Sequence, residues 1–434
     1  MTSPASGLVR AIRRWDLTAL AINSIIGAGI FGLPSEVFRR TGTWSLLAFA
    51  VCAVVVALII LCFAEVSSRF TGTGGPYLYA REAFGPVAGF QVGWLILIAR
   101  LTAFAANCNL LVGYFSFFVP GAGAGAGRAA VILAVVLALT AVNLTGVRNA
   151  ALVGNVFTVA KLLPLILFIA VGLFFLTPGS FSMLPRPPLK EFSVSVLLLV
   201  YAFSGFEMAT IPGGEARDPR GDMPRALLTA IPVVAVIYFL IQVVAIGTLP
   251  ELAGSTRPLA DAGSRFLGRF GGAIISAGAM VSILGNLNVI MLVGSRLPFA
   301  MAERGELPAL LAVTHPRFRT PHVSILLAAA VMLALTLSGT FVYAATVSVI
   351  ARLLSYGATC AALPVLRRRA GAPAPAYRAP AGIVVAAAAL LLTVWLLSYS
   401  TAQQARDTAL AALLGFIIYG AYRLTRRRRP ATPG

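Results

Sequence analysis

Two apolar runs of the chain are interrupted by residues that free backbone groups. The first reads Ala21-Ile-Asn-Ser-Ile-Ile-Gly-Ala-Gly-Ile-Phe-Gly-Leu-Pro34, with Gly27, Gly29 and Gly32 in mid-run and Pro34 behind them. The second reads Tyr201-Ala-Phe-Ser-Gly-Phe-Glu-Met-Ala-Thr-Ile-Pro-Gly-Gly214, with Gly205 inside it and an ionisable Glu207 two residues on. A Gly costs a helix about 1 kcal/mol against Ala. Inside a bilayer an unwound stretch survives only where it is buried in protein or lines a polar cavity. Amides opened at a half-helix N-terminus attract a carboxylate, and carbonyls opened at a C-terminus attract an ammonium. One pair of such breaks suits a zwitterion. Taken alone, the glycines of the first run also read as close helix packing through small residues. A matching break in a corresponding run points instead to a transport site.

Four ionisable residues sit where apolar side chains surround them: Arg100, Lys161, Glu207 and Arg352. Intramembrane charge is costly, and it normally meets a partner or a cavity. Glu207 is the evident partner for Arg100, either as a structural ion pair or as a charged pocket that selects among substrate side chains. Arg352 has no evident partner in the sequence. Lys161, in Val159-Ala-Lys-Leu-Leu-Pro164, is expensive to keep charged, which fits it either for proton exchange or for service as a fixed cation. Glu65 closes its run, as a held or a solvated helix end. Cys52, Cys62, Cys108 and Cys360 lie singly in apolar runs and read as small core residues. His315 and His322 lack metal-ligand spacing, so neither a metal nor a cofactor is expected. Neither GxxxxGK[ST] nor HExxH occurs, so no enzyme activity and no primary pump is expected.

The elements that must hold these residues follow from composition. Of 434 residues 59% are hydrophobic and 11% charged, against about 25% charged in soluble domains. A spanning helix needs about 20 apolar residues, and the apolar runs divide into twelve candidate spans, the first at about 17–38, the sixth at 194–214 and the eighth at 270–302. The ninth (323–338) and twelfth (408–422) are short. An even number puts both termini on one side. With the termini inside, the cytoplasmic segments hold most of the 34 basic residues, as the positive-inside rule requires. The formal charge of +20 therefore belongs to the lipid surface and not to nucleic acid, the basic tail at Arg426–Arg429 included. Gly121–Gly127 (GAGAGAG) reads as a flexible external loop, and Ala370–Pro380 as a cytoplasmic connection. The expected fold is all-α, a polytopic membrane protein with twelve transmembrane helices.

The motifs resemble those of the amino acid–polyamine–organocation (APC) family of permeases. The matching stretches are Ile26-Gly-Ala-Gly-Ile-Phe-Gly-Leu-Pro34, Phe63-Ala-Glu65 with Gly74-Gly-Pro-Tyr77, Asn143-Leu-Thr-Gly-Val147, Tyr201-Ala-Phe-Ser-Gly-Phe-Glu207 with Gly214-Glu-Ala-Arg-Asp-Pro219, and Ser295-Arg296 followed by Pro308. The resemblance implies a ten-helix core over 1–370, a five-plus-five inverted repeat (about 15–177 and 190–370) with helices one and six broken. Two peripheral helices and the tail fill 371–434. It implies alternating-access transport of an amino acid across the inner membrane, with proton symport, exchange and a non-transporting sensor on the same fold as alternatives. The substrate carboxylate would meet the amides around Gly27, Ala28 and Gly29. The amine would meet carbonyls at Ile25, Tyr201, Ala202 and Ser204, with Gly205 beside them. Tyr201 corresponds to a gating aromatic, and Lys161 to a lysine that replaces sodium in proton-coupled relatives. A side chain added at Gly29 is expected to fill the carboxylate's space.

Overall fold

The computed structural model describes residues 12–145, 162–182, 185–211 and 213–427. Within them the chain is helical, with one isolated backbone bridge, Ile12 to Ala216. The helices are α1 (Arg14–Ile25), α2 (Gly29–Thr41), α3 (Ser45–Ser67), α4 (Pro76–Phe84), α5 (Pro86–Phe115) and α6 (Gly125–Thr145). Then follow α7 (Leu162–Phe175), α8 (Leu189–Phe203), α9 (Pro219–Thr248), α10 (Pro258–Glu303), α11 (His322–Ser338), α12 (Phe341–Arg368), α13 (Gly382–Ser398) and α14 (Ala402–Arg427). Among the described residues seven helical stretches are long and apolar enough to cross a membrane, or eight if α13 and α14 are one broken span. α7 and α11 are apolar but shorter. The chain is thus a multi-pass membrane protein.

Two expected loops are helical. Of the glycine-alanine stretch, 120–123 forms a 3₁₀ turn and the rest opens α6. α10 starts at Pro258, twelve residues before the expected span, and bends at Gly268 (φ 64°, ψ −167°). Glycine reaches that φ without a steric penalty, so two helical pieces meet at a kink there.

Contacts group the chain into two compact units. The first comprises Met1–Val92, Ile169–Pro258 and Arg352–Ser400. In it α3 packs along α8, α9 and α13, while α1 lies on α9 and α2 on α8. Aromatic rings fill its middle: Phe63 meets Phe206 and Tyr356 edge-on, with ring centres 5.1 and 5.5 Å apart, and Phe203 meets Tyr238 at 5.1 Å. Edge-to-face pairs of this kind add about 0.5–1.5 kcal/mol beyond area burial.

The second unit comprises Gly93–Phe168, Leu259–Ala351 and Thr401–Gly434. Side-chain amides tie its helices, Asn107 to Asn286 at 3.0 Å and Asn143 to Asn288 at 3.2 Å, as interhelical polar contacts do in membranes. Arg128 caps the end of α11, donating to the carbonyls of Thr336 (2.9 Å) and Gly339 (3.1 Å). The Trp94 indole donates to the Ala411 carbonyl at 2.7 Å and rests on Gly415. Arg100 is buried on α5 in this unit.

A candidate substrate site at two helix breaks

Both interruptions read from the sequence fall in the first unit, and they touch. α1 ends at Ile25, and the amide of Gly27 turns back on the Ile25 carbonyl at 2.7 Å. α2 starts at Gly29, and no side chain caps it. The amides that open a helix have no acceptor one full turn back; that of Phe31 turns onto the Ala28 carbonyl at 3.0 Å. α8 ends at Phe203, and Ser204 is extended. Gly205 adopts φ 118°, which side-chain-bearing residues avoid, and a 3₁₀ segment runs from Phe206 to Thr210. A Cβ on Gly29 would stand 2.7 Å from the Ala202 Cα, and one on Gly205 would overlap the Ser24 carbonyl oxygen. The first break therefore lies flat on the second. This alters the reason expected for Gly29: an added side chain would strike the backbone of α8, and so would part the two half-helices whether or not a carboxylate is bound.

The structure brings Ile25, Gly27, Ala28, Gly29, Tyr201, Ala202, Ser204, Gly205 and Glu207 into the first unit, all of them buried or nearly so. Tyr201 sits in the last turn of α8, 7% exposed, and its carbonyl accepts from the Ser204 hydroxyl at 2.8 Å. Lys161 lies outside the described residues, as do the Gly146-Val147 end of the Asn143 motif, Pro212 and the last two arginines of the tail.

Glu207 is held within its own unit. Its carboxylate accepts from the Arg352 guanidinium at 2.6 Å, the Tyr356 hydroxyl at 2.7 Å and the Gly205 amide at 2.9 Å. Its backbone carbonyl accepts from the Thr210 hydroxyl at 2.7 Å. Arg352 and Tyr356 are one turn apart on α12, so they reach the carboxylate from one helix face. The three donors fix the carboxylate across the break, and the Gly205 bond holds the unwound turn. The two charges balance each other, in agreement with the cost of an isolated charge in a membrane.

Two further residues were not picked out from the sequence. Tyr238 on α9 directs its hydroxyl between the carbonyls of Ile25 (3.0 Å) and Ala202 (3.1 Å), one from each broken helix. One turn on, Gln242 donates to the Ser45 hydroxyl at 2.9 Å and lies 3.4 Å from the Pro34 carbonyl. A Tyr and a Gln four apart in an otherwise apolar helix face was the signal available. The Tyr238 hydroxyl, with one proton to give, stands where the sequence reading put an ammonium.

Glu65 is held rather than solvated. It is fully buried and accepts from Arg367 (2.8 and 2.5 Å), Arg69 (3.1 Å) and the Ala379 amide (2.9 Å). The 370–380 connection is fastened alongside: the Arg69 guanidinium donates to the Pro373 carbonyl at 2.9 Å, and Ser68 exchanges bonds with Tyr377.

Comparison with known proteins defines the class. The amino acid permease family model matches residues 12–421, and the chain belongs to that family, within the APC group its motifs resemble. It is therefore a transport protein and not an enzyme. Among its relatives, the serine/threonine exchanger SteT of Bacillus subtilis is 30% identical over 88% of this chain and 88% of its own. The mouse Asc-type amino acid transporter 1 is 31% identical over 87% of this chain and 73% of its own. The methylthioribose transporter of Bacillus subtilis is 28% identical over 74% of this chain and 73% of its own.

Proposed function

We propose that this permease is a secondary active transporter that carries an amino acid across the cytoplasmic membrane by alternating access. The observation that supports it most is the meeting of the two breaks, where α2 opens against the end of α8. Amides at Ala28 and Gly29 suit the substrate carboxylate, that of Gly27 being bonded to the Ile25 carbonyl; the carbonyls of Ile25 and Ala202 suit its amine, which must share or displace the Tyr238 hydroxyl there. Because Arg352 balances Glu207, this site favours a substrate whose side chain is uncharged. Arg100 is the residue whose neutralisation would change selection between acidic and neutral substrates. The full architecture in this reading is twelve spans in a five-plus-five inverted repeat, with both termini cytoplasmic. Lys161 stands in for sodium and carries the coupled proton.

Exchange is the second reading, favoured by the similarity to a serine/threonine exchanger. Proteoliposomes separate the two. Symport gives accumulation of a labelled amino acid driven by an inward pH gradient, with proton uptake that Lys161→Ala abolishes. Exchange gives uptake only when unlabelled amino acid is inside. No flux of any amino acid under either condition overturns the proposal.

A further inference from the structure

The loop between α10 and α11 has so far no part in the mechanism. Over 315–320 it reads His-Pro-Arg-Phe-Arg-Thr. The main chain closes it: the His315 amide donates to the Thr320 carbonyl at 2.8 Å, and the Arg319 amide to the His315 carbonyl at 2.9 Å. The His315 Nδ1 accepts from the amides of Arg317 (3.2 Å) and Phe318 (3.3 Å). The buried Thr320 hydroxyl donates to the Leu144 carbonyl near the end of α6 at 2.8 Å and anchors the loop. Arg319 takes φ 56°, a left-handed backbone that side-chain-bearing residues avoid. Such a conformation persists only where its surroundings over-determine it.

The construction holds three exposed side chains in place: Arg317, Phe318 and Arg319. The Phe318 ring packs on the His315 ring with 4.9 Å between centres, and the Arg317 guanidinium lies 5.5 Å from the Phe318 ring centre. Neither Arg317 nor Arg319 forms an ion pair among the described residues. Over 304–322 three arginines stand against one acid, the partly buried Glu306. Leu310 and Val313, just before the tip, are exposed as well. α10 and α11 are apolar helices, so the loop that joins them lies at the bilayer surface.

We propose that this tip binds the phosphate headgroup of an anionic phospholipid. The Cα atoms of Arg317 and Arg319 are at most about 7 Å apart, so two guanidinium forks are available to one phosphate, a partner that arginine suits by shape as well as charge. Phe318 between them, with Leu310 and Val313, enters the apolar boundary beneath the headgroup, as aromatic side chains do at membrane interfaces. Because the tip is already ordered, little freedom is lost when the lipid binds. A zwitterionic headgroup brings its own cation to the same phosphate and is the poorer partner. The site belongs to the second unit and serves whatever substrate the permease carries.

The test uses the full-length protein with Thr314→Cys, labelled with an environment-sensitive fluorophore. Thr314 is exposed beside the tip, and the native cysteines are all buried. The labelled parent is placed in phosphatidylcholine nanodiscs with increasing phosphatidylglycerol. The expected result is a saturable blue shift that high salt reverses, because salt screens exposed charges. Each arginine near an anionic surface contributes about fivefold to binding. Arg317→Gln with Arg319→Gln should therefore raise the phosphatidylglycerol fraction at half-shift at least tenfold. His315→Ala keeps both arginines but removes the acceptor that orders the tip, and it should raise that fraction about threefold. An unchanged half-shift in the double arginine variant overturns the site. So does an equal shift with phosphatidylethanolamine, which would mean an apolar contact only, and so does no shift at all. A shift reproduced by inorganic phosphate in detergent without lipid assigns the tip to a soluble phosphate compound and overturns the lipid. A salt-insensitive shift in the parent also overturns the proposal, and that measurement needs no variant to fold.

Discussion

Replacing Arg352 by Met tests the assignment of charge at the second break. Arg352 and Glu207 are held at 2.6 Å with side chains 8% and 4% exposed. Removing one partner of a buried pair costs about 3–5 kcal/mol, because the other charge is left without compensation. After Arg352→Met the carboxylate keeps the Tyr356 hydroxyl and the Gly205 amide, which places the loss at the lower end, about 3 kcal/mol. Glu207→Gln strands the guanidinium instead and costs a similar amount, although Gln retains an oxygen for the Gly205 amide. The double variant removes both charges of the pair, and it should recover most of the loss. A double-mutant cycle on reversible unfolding in mixed detergent–SDS micelles is therefore expected to give a coupling of about 2 kcal/mol or more. Independent sites add within about 0.3–0.5 kcal/mol. A sum that holds within that limit would refute the pairing as the reason for these residues.

Other outcomes follow from the same geometry. Tyr238→Phe keeps the ring contact with Phe203 but leaves two buried carbonyls one donor short; a cost of about 1–3 kcal/mol should appear as a change of about fivefold or more in apparent substrate affinity, and an unchanged affinity sinks the bridging role. Gly205→Ala, strained at φ 118° and overlapping the Ser24 carbonyl, should lose folded protein on detergent gel filtration, whereas Ala28→Gly should not. Glu65→Gln leaves Arg69 and Arg367 without their shared carboxylate, so the detergent-solubilised protein should denature at clearly lower temperature; an unchanged transition would mean that the carboxylate is not what secures this end.

How much of this was legible in the sequence differs from residue to residue. The helical class, the membrane setting and both breaks were readable because Gly and Pro announce themselves in apolar runs. The position of Gly29 against Ala202 was not, since the direction of a missing Cβ depends on which helix lies opposite. Glu207 and Arg352 stand 145 residues apart, and nothing in their spacing ties the two, which is why Arg352 had no evident partner. Tyr238 looked like any aromatic in a lipid-spanning run, and only the ends of two other helices give its hydroxyl a purpose. The bridge at Ile12 is main-chain chemistry, to which side-chain patterns are nearly blind.

The Glu65 cluster also bears on how the protein is made. Arg367, which contributes two of its four hydrogen bonds, is synthesised 302 residues after Glu65. At about 5–20 residues per second the ribosome takes on the order of 15–60 s to cover that distance. For that interval α3 is already in the bilayer with a carboxylate whose main partner does not exist. Arg69, four residues on and bonded to the same carboxylate, emerges with it and can neutralise it meanwhile. The nascent chain thus brings its own temporary counter-ion. Only when α12 and the 370–380 connection arrive is the α3 end sealed, so this part of the permease matures last and together with its C-terminal third.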